Sequence, residues 1–186
     1  MCFAPCRVKR AAPFRPSPCG ALAIELFPLA AIAPAAVDAL LDEAFGADRR
    51  DRTAYRIRGG LAPLARLSLA LRDGQALVGT IQCWPIALHL DAGGAVPLVM
   101  VGPVAISRGY QGRGHGTTLM HAMLTAAADD DAGAMMLIGD APYYARFGFS
   151  AARTAKWRTP GPVEADRLLA RGARVPDAAG MLGPRG

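Results

Sequence analysis

Lysine is almost missing from this chain. Lys9 and Lys156 are the only two among 21 basic residues, so arginine carries nearly all of the basic charge, and the net charge is +6. Such an excess suits a polyanionic partner, a phosphorylated small molecule or a nucleic acid, and ordinary surface charge accounts for it equally well. Metal-ligand spacing is missing too. The four cysteines, Cys2, Cys6, Cys19 and Cys83, form no Cys-x-x-Cys pair. His89, His115 and His121 have neither His-Glu-x-x-His spacing nor a cysteine cluster beside them. The pattern argues against a zinc site. A disulfide framework is not expected either, because 52% apolar residues suffice for a core. A reducing, cytoplasmic setting is the expectation.

Long hydrophobic runs are also lacking. Residues 21–41 come nearest, and Glu25, Pro28, Pro34 and Asp38 interrupt them. A spanning helix needs about 20 apolar residues, and a charge at its centre costs about 2.5–3.5 kcal/mol. Glu25 also falls where the apolar centre of a signal peptide belongs. No membrane association is expected.

What is present is enough for one domain of 186 residues. Residues 1–19 hold four prolines and no periodicity and read as a disordered arm. The domain spans 20–176, and 177–186 read as a frayed tail. Within the domain, 21–27 suit a first strand, and Val37, Leu40, Leu41, Ala44 and Phe45 share one helical face that Gly46 ends. Residues 49–58 suit a short helix or loop. Strands follow at 65–72, 76–90 and 96–106, with Asp73-Gly74 as a hairpin turn and Pro85 at a bulge or edge. Leu119, Met120, Met123, Leu124 and Ala127 form a helical stripe. Residues 134–138, wholly apolar, suit a strand buried on both faces. A short helix at 142–147 and strands at 149–157 and 168–175 complete an α/β fold, a mixed sheet with helices on its faces.

The most informative stretch is Val101 to Gly116, VGPVAISRGYQGRGHG. Gly102-Pro103 inside an apolar strand predicts a bulge or splayed edge, because proline cannot donate to the ladder. The strand runs into Gln111, Gly112, Arg113, Gly114, His115 and Gly116, with a helix starting at once. Glycines free the backbone to turn, and the unpaired N–H groups of a helix start attract anions. Arg113 adds a charge that phosphate accepts. The loop lacks the Gly-Lys-Ser/Thr ending of a P-loop, and Thr117 stands where the dinucleotide fingerprint needs its third glycine.

These residues resemble the GNAT superfamily of N-acetyltransferases. Its main motif is Gln/Arg-x-x-Gly-x-Gly/Ala after a bulged strand, and Gln111, Gly114 and Gly116 match it. Its later motif places a tyrosine four residues before Gly-Phe, and Tyr144 stands so before Gly148-Phe149. The likeness covers 97–150 and is strongest to small bacterial members with a GDxxYYxRFGF-like stretch. It departs at His115, where relatives carry an aliphatic residue, and at Arg108, where they often carry proline.

The resemblance implies a GNAT-like acyl-CoA N-acyltransferase fold: a central, mostly antiparallel sheet splayed between two parallel strands, 97–106 and 134–138. It implies acetyl-CoA as co-substrate. The segment Val104, Ala105 and Ile106 would line the pantetheine arm, with the backbone of Val104 and Ile106 bonding it. Gln111 and the amides of Gly112, Arg113, Gly114, His115, Gly116 and Thr117 would hold the pyrophosphate. Tyr144 would be the general acid, and an N–H near Ile106 would face the developing oxyanion. A lysine-like acceptor has pKa ~10.4, so freeing its lone pair at pH 7 costs about 4–5 kcal/mol. The base that removes the proton is left open between Asp140, Glu43 and a water relay. Strand 96–106 holds no carboxylate where many relatives place a glutamate.

Other classes stay in view. A non-catalytic acyl-CoA-binding regulator would share the fold. Arg7, Lys9, Arg10 and Arg15, near Phe3 and Phe14, invite a nucleic-acid reading, against which a solvated arm is preferred. The resemblance implies that residues 45–60 and the 85–95 turn shape the acceptor site, but they carry no distinctive pattern, so the acceptor, a small-molecule or protein amine, is not readable, nor is the oligomeric state, a homodimer included.

Overall fold

The computed structural model describes residues 24–129 and 132–185. The proposed arm at 1–19, with its basic and aromatic residues, lies outside them, as do residues 21–23 of the first expected strand.

In chain order the elements are β1 (Ile24–Pro28), α1 (Pro34–Phe45), α2 (Thr53–Arg58), β2 (Leu69–Asp73), β3 (Ala76–Leu90) and β4 (Ala95–Ile106). Then follow α3 (His115–Asp129), β5 (Met135–Ile138), α4 (Ala141–Tyr144), β6 (Trp157–Arg158), β7 (Leu168–Arg171) and β8 (Gly180–Pro184). The sheet runs β1-β2-β3-β4-β5-β7, with β8 on β3 and β6 on β8. Neighbours are antiparallel except β4 with β5 and β6 with β8. This is the mixed, splayed α/β sheet expected.

Side chains alternate between the two faces of a strand, so each face collects its own core. On one face α3 lays Leu119, Met120, Met123 and Ala127 against Leu71, Val78, Cys83, Val99 and Val101. On the other, α1 buries Val37, Leu40 and Leu41 against Ala70 and Ala105. Ile57 of α2 joins Ile86, Leu88, Leu98 and Met100 on that same side. Pro34 occupies the first turn of α1, where its missing N–H costs nothing. In β5, Met135, Met136 and Leu137 are all buried.

Four expectations need correction. The strand expected at 65–72 begins only at Leu69, because the Leu67 N–H turns back onto the Leu64 carbonyl. Residues 149–157 are not a strand: a lone bridge joins Ser150 to Ala170, and two turns follow, closed by Thr154 N–H onto Ala151 and Trp157 N–H onto Thr154. The strand expected at 168–175 stops at Arg171, since Gly172 swings to φ +119°. The tail at 177–186 is not frayed, since its residues 180–184 form β8. That strand pairs with β3 from Ile86 to Leu90, the part of β3 that β2 does not reach. Pro85 falls where β3 changes neighbour from β2 to β8, so its missing N–H interrupts neither ladder.

Candidate active site

The bulge lies where the sequence puts it. Ile81 pairs with Val104 and Cys83 with Val101, so Gly102 and Pro103 together oppose the single residue Gln82. Gly102 takes φ +119°, which favours glycine. The indole of Trp84 on β3 donates to the Gly102 carbonyl at 2.8 Å and pins the bulge.

Beyond it the sheet opens. β4 and β5 pair only at Val99 with Met135 and Met100 with Met136. The Ser107 N–H bonds the Val78 carbonyl on β3, so by strand alternation the peptide groups of Val104 and Ile106 face away from β3, towards the parting. Ala105 does not join them. Its peptide faces β3, and its side chain is buried under α1.

The glycine loop follows. Gly112 and Gly114 have φ +74° and +82°, and a methyl group at either would meet nothing within 4 Å, so their backbone is open to a ligand. Gly116 and Thr117 lie in the first turn of α3, whose N–H groups have no intrahelical partner. Gln111 is exposed, and its Nε2 donates to the Ile106 carbonyl at 3.0 Å, which ties the loop back to β4. The loop rests on Tyr110, whose hydroxyl donates to Asp73 at 2.8 Å, an interaction that raises its pKa. The His115 ring leans on Tyr110 at 6.1 Å between centroids, and the Arg113 guanidinium stands 5.5 Å from the same ring. His115 thus packs under the loop.

The parting leads into a cavity of about 1060 Å³, lined by Met100 to Val104, Ile138 to Asp140, Tyr143 and Tyr144, and on the far wall by α2. Tyr144 is half-buried, with its ring edge-on to Tyr143 at 4.9 Å and to Phe149 at 6.3 Å. Its hydroxyl has no hydrogen-bond partner among the described residues. Burial first, then the neighbouring Tyr143 and Asp140, push its pKa up to about 12. It holds its proton at neutral pH. The Tyr143 hydroxyl points elsewhere, 3.3 Å from where a Gly116 side chain would start.

The two carboxylate candidates are already engaged. Asp140 caps α4 by accepting from the Tyr143 N–H at 3.1 Å, while still lining the cavity. Glu43 accepts from the Arg108 N–H at 2.9 Å and from the Ser107 hydroxyl at 3.3 Å, fastening α1 to the end of β4. Glu43 is not among the residues lining the cavity.

The far wall falls within the stretch 45–60 that the resemblance gives to the acceptor, but its arginines were not singled out in the sequence. Arg49 is buried and pairs with Asp38 and Asp42, and it donates to the Tyr55 hydroxyl. Arg58 is 4% exposed, its guanidinium carbon 3.9 Å from the Tyr55 ring and 4.5 Å from the Trp84 ring. Burial lowers its pKa to about 10, which leaves it charged at neutral pH. Only the polarity of 49–58 was visible in the sequence.

A bulged strand parting from its parallel neighbour, with a glycine loop opening onto a helix at its end, defines an acyl-CoA-type N-acyltransferase fold. The acetyltransferase (GNAT) domain model matches residues 35–152, more than half of the chain, and the protein belongs to that family. Among solved structures it resembles a GNAT family N-acetyltransferase from Escherichia coli (YhbS) in complex with CoA. Identity is 22%, coverage 91% of this chain and 93% of the other, and the TM-score 0.67. A GNAT family acetyltransferase from Brucella melitensis in complex with acetyl-CoA is 21% identical over 82% of this chain and 97% of the other, with TM-score 0.57. No curated protein matches. No helix among the described residues is long and apolar enough to cross a membrane.

Proposed function

We propose that this protein is a cytoplasmic N-acetyltransferase that moves an acetyl group from acetyl-CoA to a primary amine within a ternary complex. The observation that carries the reading is the parting of β4 from β5 after Met100, which opens into the cavity that Tyr144 lines.

The residues present fit acetyl-CoA. The open peptide group of Val104 and the Ile106 N–H suit the amides of a pantetheine arm; the Ile106 carbonyl is taken by Gln111. The open backbone at Gly112 and Gly114 and the first turn of α3 suit a diphosphate, with Arg113 beside them. When bound, acetyl-CoA supplies an activated thioester: the C–N bond to the amine forms, the C–S bond breaks, one ammonium proton passes to sulfur and another to solvent. Tyr144 stays protonated and donates a hydrogen bond to the leaving sulfur; with its pKa at about 12 against ~8.5 for an ordinary thiol, it stabilises the thiolate as a donor, and full transfer of its proton is uphill. The Val104 N–H, turned to the parting beside the bulge and on the cavity wall, is placed to donate to a developing oxyanion, whereas Ile106 lies at the loop end of β4. Asp140 stands at the cavity wall as a proton acceptor, directly or through water. The acceptor enters from the α2 side.

A second reading, a non-catalytic acyl-CoA-binding module, is favoured by one observation: both Asp140 and Glu43 already accept hydrogen bonds. Incubation with acetyl-CoA and an amine panel, following free CoA with a thiol reagent, separates the two. Release that depends on the amine supports the enzyme; tight binding with no release under any amine supports the module.

A further inference from the structure

The far wall of the cavity holds a cation with no carboxylate partner among the described residues. Arg58 closes α2, and its Nε donates to the Ala54 carbonyl at 3.1 Å, while its guanidinium carbon stands 3.9 Å from the centre of the Tyr55 ring and 4.5 Å from that of Trp84. Among the described residues its polar contacts are the Ala54 carbonyl and the Tyr55 hydroxyl. Arg49, nine positions earlier, is as deeply buried and has two aspartates. A buried charge without a counter-ion is costly, and a planar fork stacked against aromatic rings is suited to a carboxylate. Five arginines and three carboxylates line this cavity, Arg58 among them, so its field favours an anion.

The place of Arg58 narrows what that anion belongs to. Trp84 links it to the bulge through the Gly102 carbonyl. From Gly102 to Ile106 the strand runs about 13 Å before the glycine loop begins. None of residues 111–116 lines the cavity. Arg58 therefore stands at the reacting end of β4, away from the loop suited to phosphates.

We propose that Arg58 binds a carboxylate on the acceptor, so that the acceptor is an amino-acid-like molecule carrying its amine and its carboxylate together. This rests on the acetyl-transfer reading above. Tyr55 and Trp84 hold the guanidinium, the carboxylate takes the N–H groups that Ala54 and Tyr55 leave open, and the amine is thereby aimed at the parting of β4 and β5.

The test compares L-amino acids with their carboxamides, their decarboxylated amines and matched aminoalkyl phosphates, in the wild type, Arg58→Gln and Arg58→Lys. Melting temperatures verify that the variants fold, and calorimetry with acetyl-CoA runs alongside. The expected result is a preference for carboxylate over carboxamide of about tenfold or more in kcat/KM, carried by KM. Arg58→Gln erases that preference, and Arg58→Lys keeps part of it, with acetyl-CoA affinity unchanged in both. Equal use of carboxylates and carboxamides by the wild type overturns the inference while leaving acetyl transfer standing, and needs no variant to fold. A preference that survives in Arg58→Gln overturns it as well, and so does a preference for phosphates. Failure to bind acetyl-CoA at all overturns the acetyl-transfer reading, and with it this one.

Discussion

The indole N–H of Trp84 donates to the Gly102 carbonyl at 2.8 Å, and the same ring system lies 4.5 Å from the Arg58 guanidinium carbon. One side chain thus fixes both the bulge that opens the sheet and the cation on the opposite wall. Trp84→Phe keeps an aromatic surface but removes the donor. The loss of one hydrogen bond is expected to cost about 1 kcal/mol of stability. Turnover should fall further than stability, because bulge and cation lose their shared support. Urea denaturation and steady-state kinetics on the same preparation check this.

Gly114 holds φ +82° in the loop. Gly114→Ala puts a Cβ on a backbone that L-residues resist, at a cost of about 1–2 kcal/mol. The loop relaxes away from the form that presents its amides. Acetyl-CoA affinity should drop about five- to thirtyfold, while the acceptor preference is unchanged. Calorimetry with acetyl-CoA and the acceptor panel read the two effects separately.

Glu43 ties Ser107 and Arg108 to α1. Glu43→Gln keeps an acceptor oxygen for both donors, so turnover should stay within about threefold of wild type, since a conservative swap of an exposed bond is worth under 1 kcal/mol. A loss of about a hundredfold or more would mean that Glu43 moves the proton, since general-base catalysis contributes that much.

Tyr144, with its pKa pushed up to about 12, stays protonated across the working range. As pH rises towards ~10, more of the amine is neutral, so kcat/KM should climb with no descending limb from Tyr144. Tyr144→Phe should retain acetyl-CoA affinity and lose at least about tenfold in kcat. The stability consequence has its own sign. A tyrosine that ionises near 10 when unfolded and near 12 when folded makes the native state bind more protons in between. Its contribution is complete below pH 10 and is lost as pH rises from there to 12, and Tyr144→Phe removes that part of the alkaline decline. Denaturation at pH 8 and at pH 11 tests it.

Much of this was legible in the sequence because the signals were local. Gly102-Pro103 announces a bulge, since neither residue suits a ladder. The helix over 34–45 and the stripe on α3 follow from apolar spacing, and the glycine loop from residues only two apart. β8 was missed because Gly180-Met-Leu-Gly-Pro184 is short and carries residues that usually break strands. Only the free half of β3's edge makes it a strand. Residues 149–157 were misread because Thr154, whose hydroxyl donates to the Leu168 carbonyl at 2.6 Å, joins the chain to its neighbour with a side chain in place of a ladder. Arg58 was invisible for a different reason. Its partner Trp84 lies 26 positions away in the chain, and nothing in the polarity of 49–58 distinguishes the arginine with aspartate partners from the one without.

The central claim is that peptide groups of β4, freed by its departure from β5, receive the pantetheine arm while the loop receives the phosphates. Amide hydrogen exchange, resolved by residue with NMR and taken with and without acetyl-CoA, tests it most directly. Protection should rise at Val104, Ile106 and residues 112–117 on binding, and Ala105, already bonded to β3, should change little. Unchanged exchange at Val104 and Ile106 in the presence of saturating acetyl-CoA would contradict the account.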